Sequence, residues 1–431
     1  MLSRVRSSRP ALQAVVIASL ALALVPVFAG CGLIGDTREG ETIPPASAET
    51  ATDLGLGPGV RPLSFGPGDK GSPRVSPSGE KVAFVLDGYV AEKPLYAQTS
   101  FPRTASDFGA SHAEWLTDEG IAILTRQGEG GDGSASTPPA PGSLFDVRPD
   151  SSSSDGSSDV ARSIENVTAV SGVPDGGAVA AVAVAPEPPG EPMSSRLVLL
   201  RGSDKPASVY MRSIRGSVTG LSISPDSRRA VMAVRREADG DVGRFEVQTY
   251  EFSEGRASRV ARLPEGTELV GAPQWTRRGI HFLVSRATYA AADDRNPADY
   301  DLYRVPAGSG TPEQVRGIGE DFVAASIRVS PDGQHLAIVG RRNPGSPTNL
   351  YVLDLASDTL EAATANENME VKTNPLDLAW TLDGNYMILV ARGALSGPEV
   401  YDAPAQTLSS AFYNLYEVPV TDLPVEVESE G

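Results

Sequence analysis

Cys31 is the only cysteine among 431 residues, and its setting gives the thiol one task. Ahead of it stand the small residues Ala29 and Gly30, an apolar stretch from Ala11 to Phe28, and a leading segment with Arg4, Arg6 and Arg9 but no acid. This is the layout of an export signal. A thiol can carry lipid as a thioether, and small residues before it let a peptidase grip an extended backbone. A sole cysteine also excludes an internal disulfide and a cysteine-ligated zinc or iron–sulfur site. The alternative, an uncleaved anchor helix, is disfavoured because the apolar stretch falls short of the ~20 residues a bilayer needs and is broken by Pro26.

The other residues able to do chemistry are scattered. Asp293, Asp294, Asp299 and Asp301 crowd one loop, but Arg295 sits among them and the ordered spacing of a calcium loop is missing, so a solvated loop is expected. His112, His281 and His335 each fall beside a turn or at a strand start, where a lone histidine is a surface or packing residue rather than a base. Trp115, Trp275 and Trp380 precede turns in the same way and are expected to be core wedges, with sugar stacking in a channel mouth as the alternative. No catalytic, metal-binding or cofactor-binding residue is assigned.

The elements that position these residues repeat. A turn of the form Ser-Pro-Asp-Gly recurs at Ser76–Gly79, Val173–Gly176, Ser224–Ser227, Ser330–Gly333 and Thr381–Gly384, with looser copies at Thr117–Gly120 and Thr276–Gly279. Proline presets φ, Asp or Ser bonds the local backbone, and Gly takes the positive-φ position of a short hairpin. An apolar strand follows each turn, as in Val82–Leu86, Ala230–Val234 and Leu336–Val339. A third strand recurs in step at Leu95-Tyr96, Leu144-Phe145, Leu197-Val198, Phe245-Glu246, Leu302-Tyr303, Leu350-Tyr351 and Leu415-Tyr416. The alternating segments Ser208–Arg212 and Arg259–Arg262 fit half-exposed fourth strands. Strands apolar on both faces must be covered on both faces, which stacked blades achieve. The reading is an all-β chain: a single seven-bladed β-propeller of four-stranded antiparallel blades over residues 60–431.

The remaining segments frame that domain. Residues 1–30 read as a lipoprotein signal peptide, and 31–59 as the lipidated N-terminus and a disordered tether, because Asp36 to Gly59 carries almost no apolar pattern. About 24 flexible residues span roughly 25–30 Å. Gln127 to Ser143 and Asp150 to Asp159 read as solvated insertions. Ring closure requires a terminal strand, and Val60–Phe65 is expected beside the blade of Leu415 and Tyr416.

Two resemblances follow from these residues. Phe28-Ala29-Gly30-Cys31 resembles the lipobox of bacterial lipoproteins, with Phe28 where that family usually has Leu. The repeats resemble the WD40-like, PD40-type repeats of TolB-like propellers, most clearly at the copies ending at 79, 227, 333 and 384. Together they are similar to the propeller part of LpqB-type actinobacterial lipoproteins. The resemblance implies a ring-shaped extracytoplasmic interaction module that binds an envelope protein; with the tether, the anchor at Cys31 and no assigned chemistry, the expectation is a non-enzymatic, monomeric scaffolding module held to the cell membrane.

Charge agrees with part of this. The chain carries −18, and −21 without residues 1–30, which argues against nucleic acid. The alternatives are a glycan- or small-ligand-binding propeller and a propeller hydrolase. The hydrolase is disfavoured because such propellers cap a separate domain with a Gly-x-Ser-x-Gly elbow, a motif this sequence lacks.

Overall fold

The computed structural model describes residues 60–64, 68–97, 99–126, 142–149, 158–173, 178–184, 194–201, 208–236, 244–264, 267–286, 300–306, 311–315, 322–342, 346–366, 369–393 and 412–420. Cys31, the signal and tether segments, most of both polar insertions, Asp293, Asp294 and Asp299 lie outside these residues.

The described residues form antiparallel sheets and, apart from one 3-10 turn, no helix. After β1 (Arg61–Pro62), the first sheet comprises β2 (Lys70–Val75), β3 (Lys81–Leu86), β4 (Tyr89–Pro94) and β5 (Phe101–Pro102). A seven-stranded sheet follows, with β6 (Ala110–Trp115), β7 (Ile121–Arg126), β8 (Gly142–Pro149), β9 (Ser158–Gly172), β10 (Ala178–Val184), β11 (Ser194–Arg201) and β12 (Ser208–Arg215). The next sheet holds β13 (Ser217–Ile223), β14 (Arg229–Arg236), β15 (Arg244–Glu251) and β16 (Arg256–Arg262). Another holds β17 (Thr267–Thr276), β18 (Gly279–Arg286), β19 (Tyr300–Pro306) and β20 (Glu313–Gln314). Then come β21 (Val323–Val329), β22 (His335–Arg341), β23 (Asn349–Asp354) and β24 (Thr359–Ala362). The last sheet is β25 (Met369–Val371) and β26 (Leu378–Trp380), separated by the 3-10 turn Pro375–Asp377, with β27 (Tyr386–Gly393) and β28 (Asn414–Pro419).

Six sheets therefore stand where seven separate ones were expected. The reason is β9, a 15-residue strand that pairs with β8 along one part of its length and with β10 along another. It joins two repeats into one hydrogen-bonded sheet.

The repeat turns behave as their residues dictate. Gly79, Gly333 and Gly384 take φ of 79°, 70° and 71°, the left-handed region where a Cβ is costly. Ser330 shows the chemistry of the turn: its hydroxyl donates to Asp332 at 2.6 Å and accepts from the His335 amide at 2.9 Å. Ser224 and Thr381 repeat both bonds. Each turn hands the chain to a strand buried on both faces. Along β3, Val82 and Phe84 pack with Ile388 and Val390 of the last sheet, while Ala83 packs with Ala113 and Ile123 of the next. Along β14, Met232 joins Ala180 and Val182 on one side, and Val231 joins Phe282 and Val284 on the other. Fully burying each Val, Ile, Phe or Met among them contributes about 1.5–3 kcal/mol.

The first strands of the repeats touch in order: β2 with β6, β6 with β9, β9 with β13, β13 with β17, β17 with β21, β21 with β26, and β26 with β2. The circuit is closed by the chain's own beginning. Arg61 and Pro62 pair with Glu417 and Tyr416 of β28, and the Leu63 amide donates to the Leu415 carbonyl at 2.8 Å. The edge of β28 is thus covered by the expected segment. Six of the seven third-strand dipeptides lie within strands; Leu95-Tyr96 falls just beyond β4.

Candidate functional site

A cavity of about 540 Å³ lies where the first strands converge, and Arg74, His112, Glu114, Thr219, Gln274 and Arg328 are among the side chains that line it. They come from β2, β6, β13, β17 and β21, so no single repeat could build it.

The part richest in side-chain hydrogen bonds joins β2 to β6. Arg74 Nε donates to Glu114 Oε1 at 2.7 Å, and its Nη1 donates to the carbonyls of Pro73 at 2.5 Å and Leu376 at 2.9 Å. Glu114 Oε1 also lies 2.8 Å from His112 Nε2, and the other ring nitrogen, Nδ1, is hydrogen-bonded to the Ser72 hydroxyl. These four side chains are all buried. Ser72 has a φ of 51°, rare for a residue with a Cβ, and its amide donates to Asp377 Oδ1 at 2.7 Å. The strand is bent there, with a register shift between Gly71 and Arg74.

Ionisation follows from these contacts. Burial opposes a charge on Glu114, but the Arg74 guanidinium and the His112 hydrogen bond outweigh it and hold the carboxyl well below the usual carboxylate range. Burial, reinforced by Arg74, pushes the His112 imidazole down to about 4, so the ring is neutral near pH 7. A carboxylate only accepts, so His112 Nε2 carries the proton donated to Glu114, and Nδ1 accepts from Ser72.

Ser72, His112 and Glu114 therefore stand in the order hydroxyl, imidazole, carboxylate that activates a serine nucleophile. Two features weaken that activity. Arg74 claims the same carboxylate oxygen, which lowers the basicity of the ring, and Ser72 itself is 3% exposed. The arrangement fixes the Arg74 side chain more firmly than it activates the hydroxyl.

Arg328 is different. Its guanidinium lines the cavity, yet among the described residues it has no side-chain hydrogen bond and no carboxylate within 4.0 Å. Burial, then repulsion by Arg74, brings its pKa to about 10, with Glu114 opposing the fall. The Arg74 and Glu114 charges cancel, so the cluster carries one uncompensated positive charge.

The tryptophans anchor this arrangement. Trp115 donates Nε1 to the Arg74 carbonyl at 2.8 Å and Trp380 donates to the Arg328 carbonyl at 3.1 Å, each from the neighbouring sheet. Both are buried wedges, whereas Trp275 is half-buried with Arg229 stacked 4.0 Å from its ring centroid. His281 is buried and donates or accepts at Thr276, 3.2 Å away; His335 is partly exposed, 3.7 Å from Asp354. Asp301 lies in β19, and no group of three or more His, Cys, Asp or Glu able to hold a metal occurs among the described residues.

The sequence reading passed over Arg74 and Arg328, although a signal was there. Arg-Val-Ser-Pro occurs twice, at 74–77 and 328–331, placing arginine on a first strand where other copies have Ser171 or Ser222. His112 and Glu114, two apart on one strand, share a face.

No family model and no curated protein matches the chain. Solved structures share its fold. A prolyl endopeptidase is 13% identical across 82% of this chain and 48% of its own, with a TM-score of 0.50, so this chain spans about half of that enzyme. An oligogalacturonate lyase from Vibrio parahaemolyticus is 11% identical across 84% of this chain and 94% of its own, at a TM-score of 0.49. A putative TolB from Agrobacterium tumefaciens is 13% identical across 75% and 93%, at 0.39. At such identities the likeness is one of fold, and it places the chain with the β-propellers. The expectation of a non-enzymatic interaction or scaffolding module is corrected here. A propeller of this kind occurs within an enzyme, and the buried Ser72, His112, Glu114 and Arg74 are chemistry-bearing groups gathered at a cavity, which a purely surface-acting module does not require.

Proposed function

We propose that the central cavity is the functional site and that it takes a small polar ligand. One observation carries this reading: charged and polar side chains from five different first strands converge on a single cavity, and the buried bonds of Arg74 and Glu114 hold part of its wall in place before anything binds. Preformed concave sites with a few fixed polar groups are where small molecules bind. The test is a thermal-shift screen of small sugars, acids and amides against the wild type and Ala325→Phe, a substitution that fills the cavity. Ligand at 100 times its Kd raises stability by about 2.7 kcal/mol. A compound that stabilises only the wild type supports the reading; no stabilisation by any class ends it.

A second reading, turnover of that ligand, is favoured by the order Ser72, His112, Glu114. An anion bound beside Arg328 would offset the positive charge that depresses His112 and make the ring a better base. Ester and glycoside turnover by the wild type, lost in both Ser72→Ala and His112→Gln, is the expected pattern. Turnover unchanged in the two variants rejects it.

The architecture proposed for the domain is seven-bladed. β9 serves as the outermost strand of one blade and the first strand of the next, which turns seven repeats into six hydrogen-bonded sheets. Cys31 is proposed as a lipid attachment point that holds the domain on the outer face of the cell membrane, as in LpqB-type lipoproteins. Cys31→Ser should then leave an unprocessed precursor or release the protein into the medium, and unaltered membrane retention rejects the anchor.

A further inference from the structure

We infer that the ligand of the central cavity is a small monocarboxylate, bound through Arg328. This rests on the cavity being a ligand site and adds the chemical class of what it takes. Three observations lead there. Arg328 is charged, lines the cavity and has no anionic partner within 4.0 Å among the described residues, although the chain as a whole is strongly acidic. Its neighbour Arg74 is already paired with Glu114 through Nε and bonded to the Pro73 and Leu376 carbonyls through Nη1, so its charge is neutralised. The third is Thr219, a residue of the same cavity wall, whose Oγ1 has no hydrogen-bond partner among the described residues.

A half-buried cation at a cavity wall, beside a second cation, is costly unless an anion joins it. Evolution of a merely structural position would remove that cost by an uncharged residue; Ser222 occupies the matching place on β13. The guanidinium fork matches the two oxygens of a carboxylate, and a threonine hydroxyl is a suitable additional donor. Net charge selects among anions. A single negative charge neutralises the cluster, whereas a dianionic phosphate would leave an excess negative charge beside Glu114.

Arg328→Gln is expected to fold at least as stably as the wild type, because Arg328 makes no ion pair among the described residues and its repulsion with Arg74 disappears. That separates a binding role from a structural one. The experiment is calorimetric titration of the full chain with glucuronate and with glucose, which differ at one carboxylate, and with inorganic phosphate. The expected result is saturable glucuronate binding, little glucose or phosphate binding, and a loss of about 10- to 100-fold in Arg328→Gln, the worth of a charged hydrogen-bonded pair. Arg328→Lys should recover only part, since it restores charge without the fork. If glucose binds as well as glucuronate and Arg328→Gln changes nothing, the carboxylate inference fails while the cavity remains a ligand site. Phosphate preferred to glucuronate also overturns it. If neither sugar nor phosphate binds and the small-molecule screen is blank, both readings fall together.

Discussion

Arg74 on β2 and Glu114 on β6 meet at 2.7 Å with side chains only 5% and 7% exposed, so two neighbouring sheets are joined through a buried ion pair. Removing one partner leaves the other charge stranded in a poorly solvated place. Glu114→Ala is expected to cost about 3–5 kcal/mol, read as a shift of the urea midpoint at constant slope. The Arg392–Glu370 pair supplies the contrast, since its side chains are 41% and 55% exposed. Arg392→Ala should move the urea midpoint far less, because water screens an exposed pair. Similar losses from both would mean that the Arg74 pair is well hydrated after all.

Acid should unfold the protein through its buried histidines. Burial holds His112 down to about 4 and His281 to about 3, while an unfolded histidine titrates near 6.5. Below pH 6.5 the unfolded chain binds protons that the folded protein refuses, so stability is full above 6.5 and declines as pH falls toward 4. Each histidine accounts for up to roughly 3 kcal/mol by pH 4. Glu114, held low by Arg74, extends the decline further into acid. His281→Gln should flatten the slope of stability against pH between 6.5 and 4; an unchanged slope would place the loss elsewhere.

The periodic part of the fold was readable because turn chemistry and two-faced apolar strands are local signals. Ser330, Asp332 and Gly333 do in the structure what their types require. Closure through Val60 to Ser64 was also readable, since an open edge on β28 had to be covered. The cavity was not. Arg74, His112 and Arg328 lie in three repeats, and no spacing rule links residues 254 positions apart. They meet only because the circuit of first strands closes. The merging of two repeats through β9 was equally hidden, for nothing in Ser158–Gly172 announces that one strand serves both sides.

On the alkaline side, lysines act in the opposite sense. Lys93 is 2% exposed, its Nζ donates to the Leu63 carbonyl at the ring closure, and burial lowers its pKa to about 8 despite the attraction of Glu417. Lys70 is lowered to about 8 by burial as well. Between pH 8 and 10.5 the unfolded chain keeps protons that the folded protein has released, so stability rises with pH there. Lys93 contributes up to roughly 3 kcal/mol of that rise. Above pH 10 the trend reverses, because burial raises Tyr413 and Tyr416 and the unfolded tyrosines ionise first. Denaturation midpoints at pH 7.5, 9.5 and 11 should show a maximum at the middle value, lower in contrast for Lys93→Met. A monotonic fall from pH 7.5 would contradict this.

Gly172, at the end of β9, tests how tightly the ion pair is seated. A Cβ there would stand 2.7 Å from Glu114 Oε2 and 3.4 Å from its Cδ, so the carboxylate must shift or β9 must move. Gly172 has no left-handed φ, which makes the effect of Gly172→Ala purely steric. Overpacking of this kind costs about 1–3 kcal/mol. Gly109 is the complementary case: its φ is 73°, yet a Cβ there meets nothing within 4 Å, so Gly109→Ala carries only the backbone cost of roughly 1–2 kcal/mol. The two variants lose similar stability by different routes, and ligand binding separates them. Gly172→Ala disturbs either the carboxylate paired with Arg74 or β9 in the cavity wall and should weaken ligand binding at least several-fold, whereas Gly109→Ala should bind as the wild type does. Equal affinities in both would show that the seating of Glu114 has no bearing on the cavity.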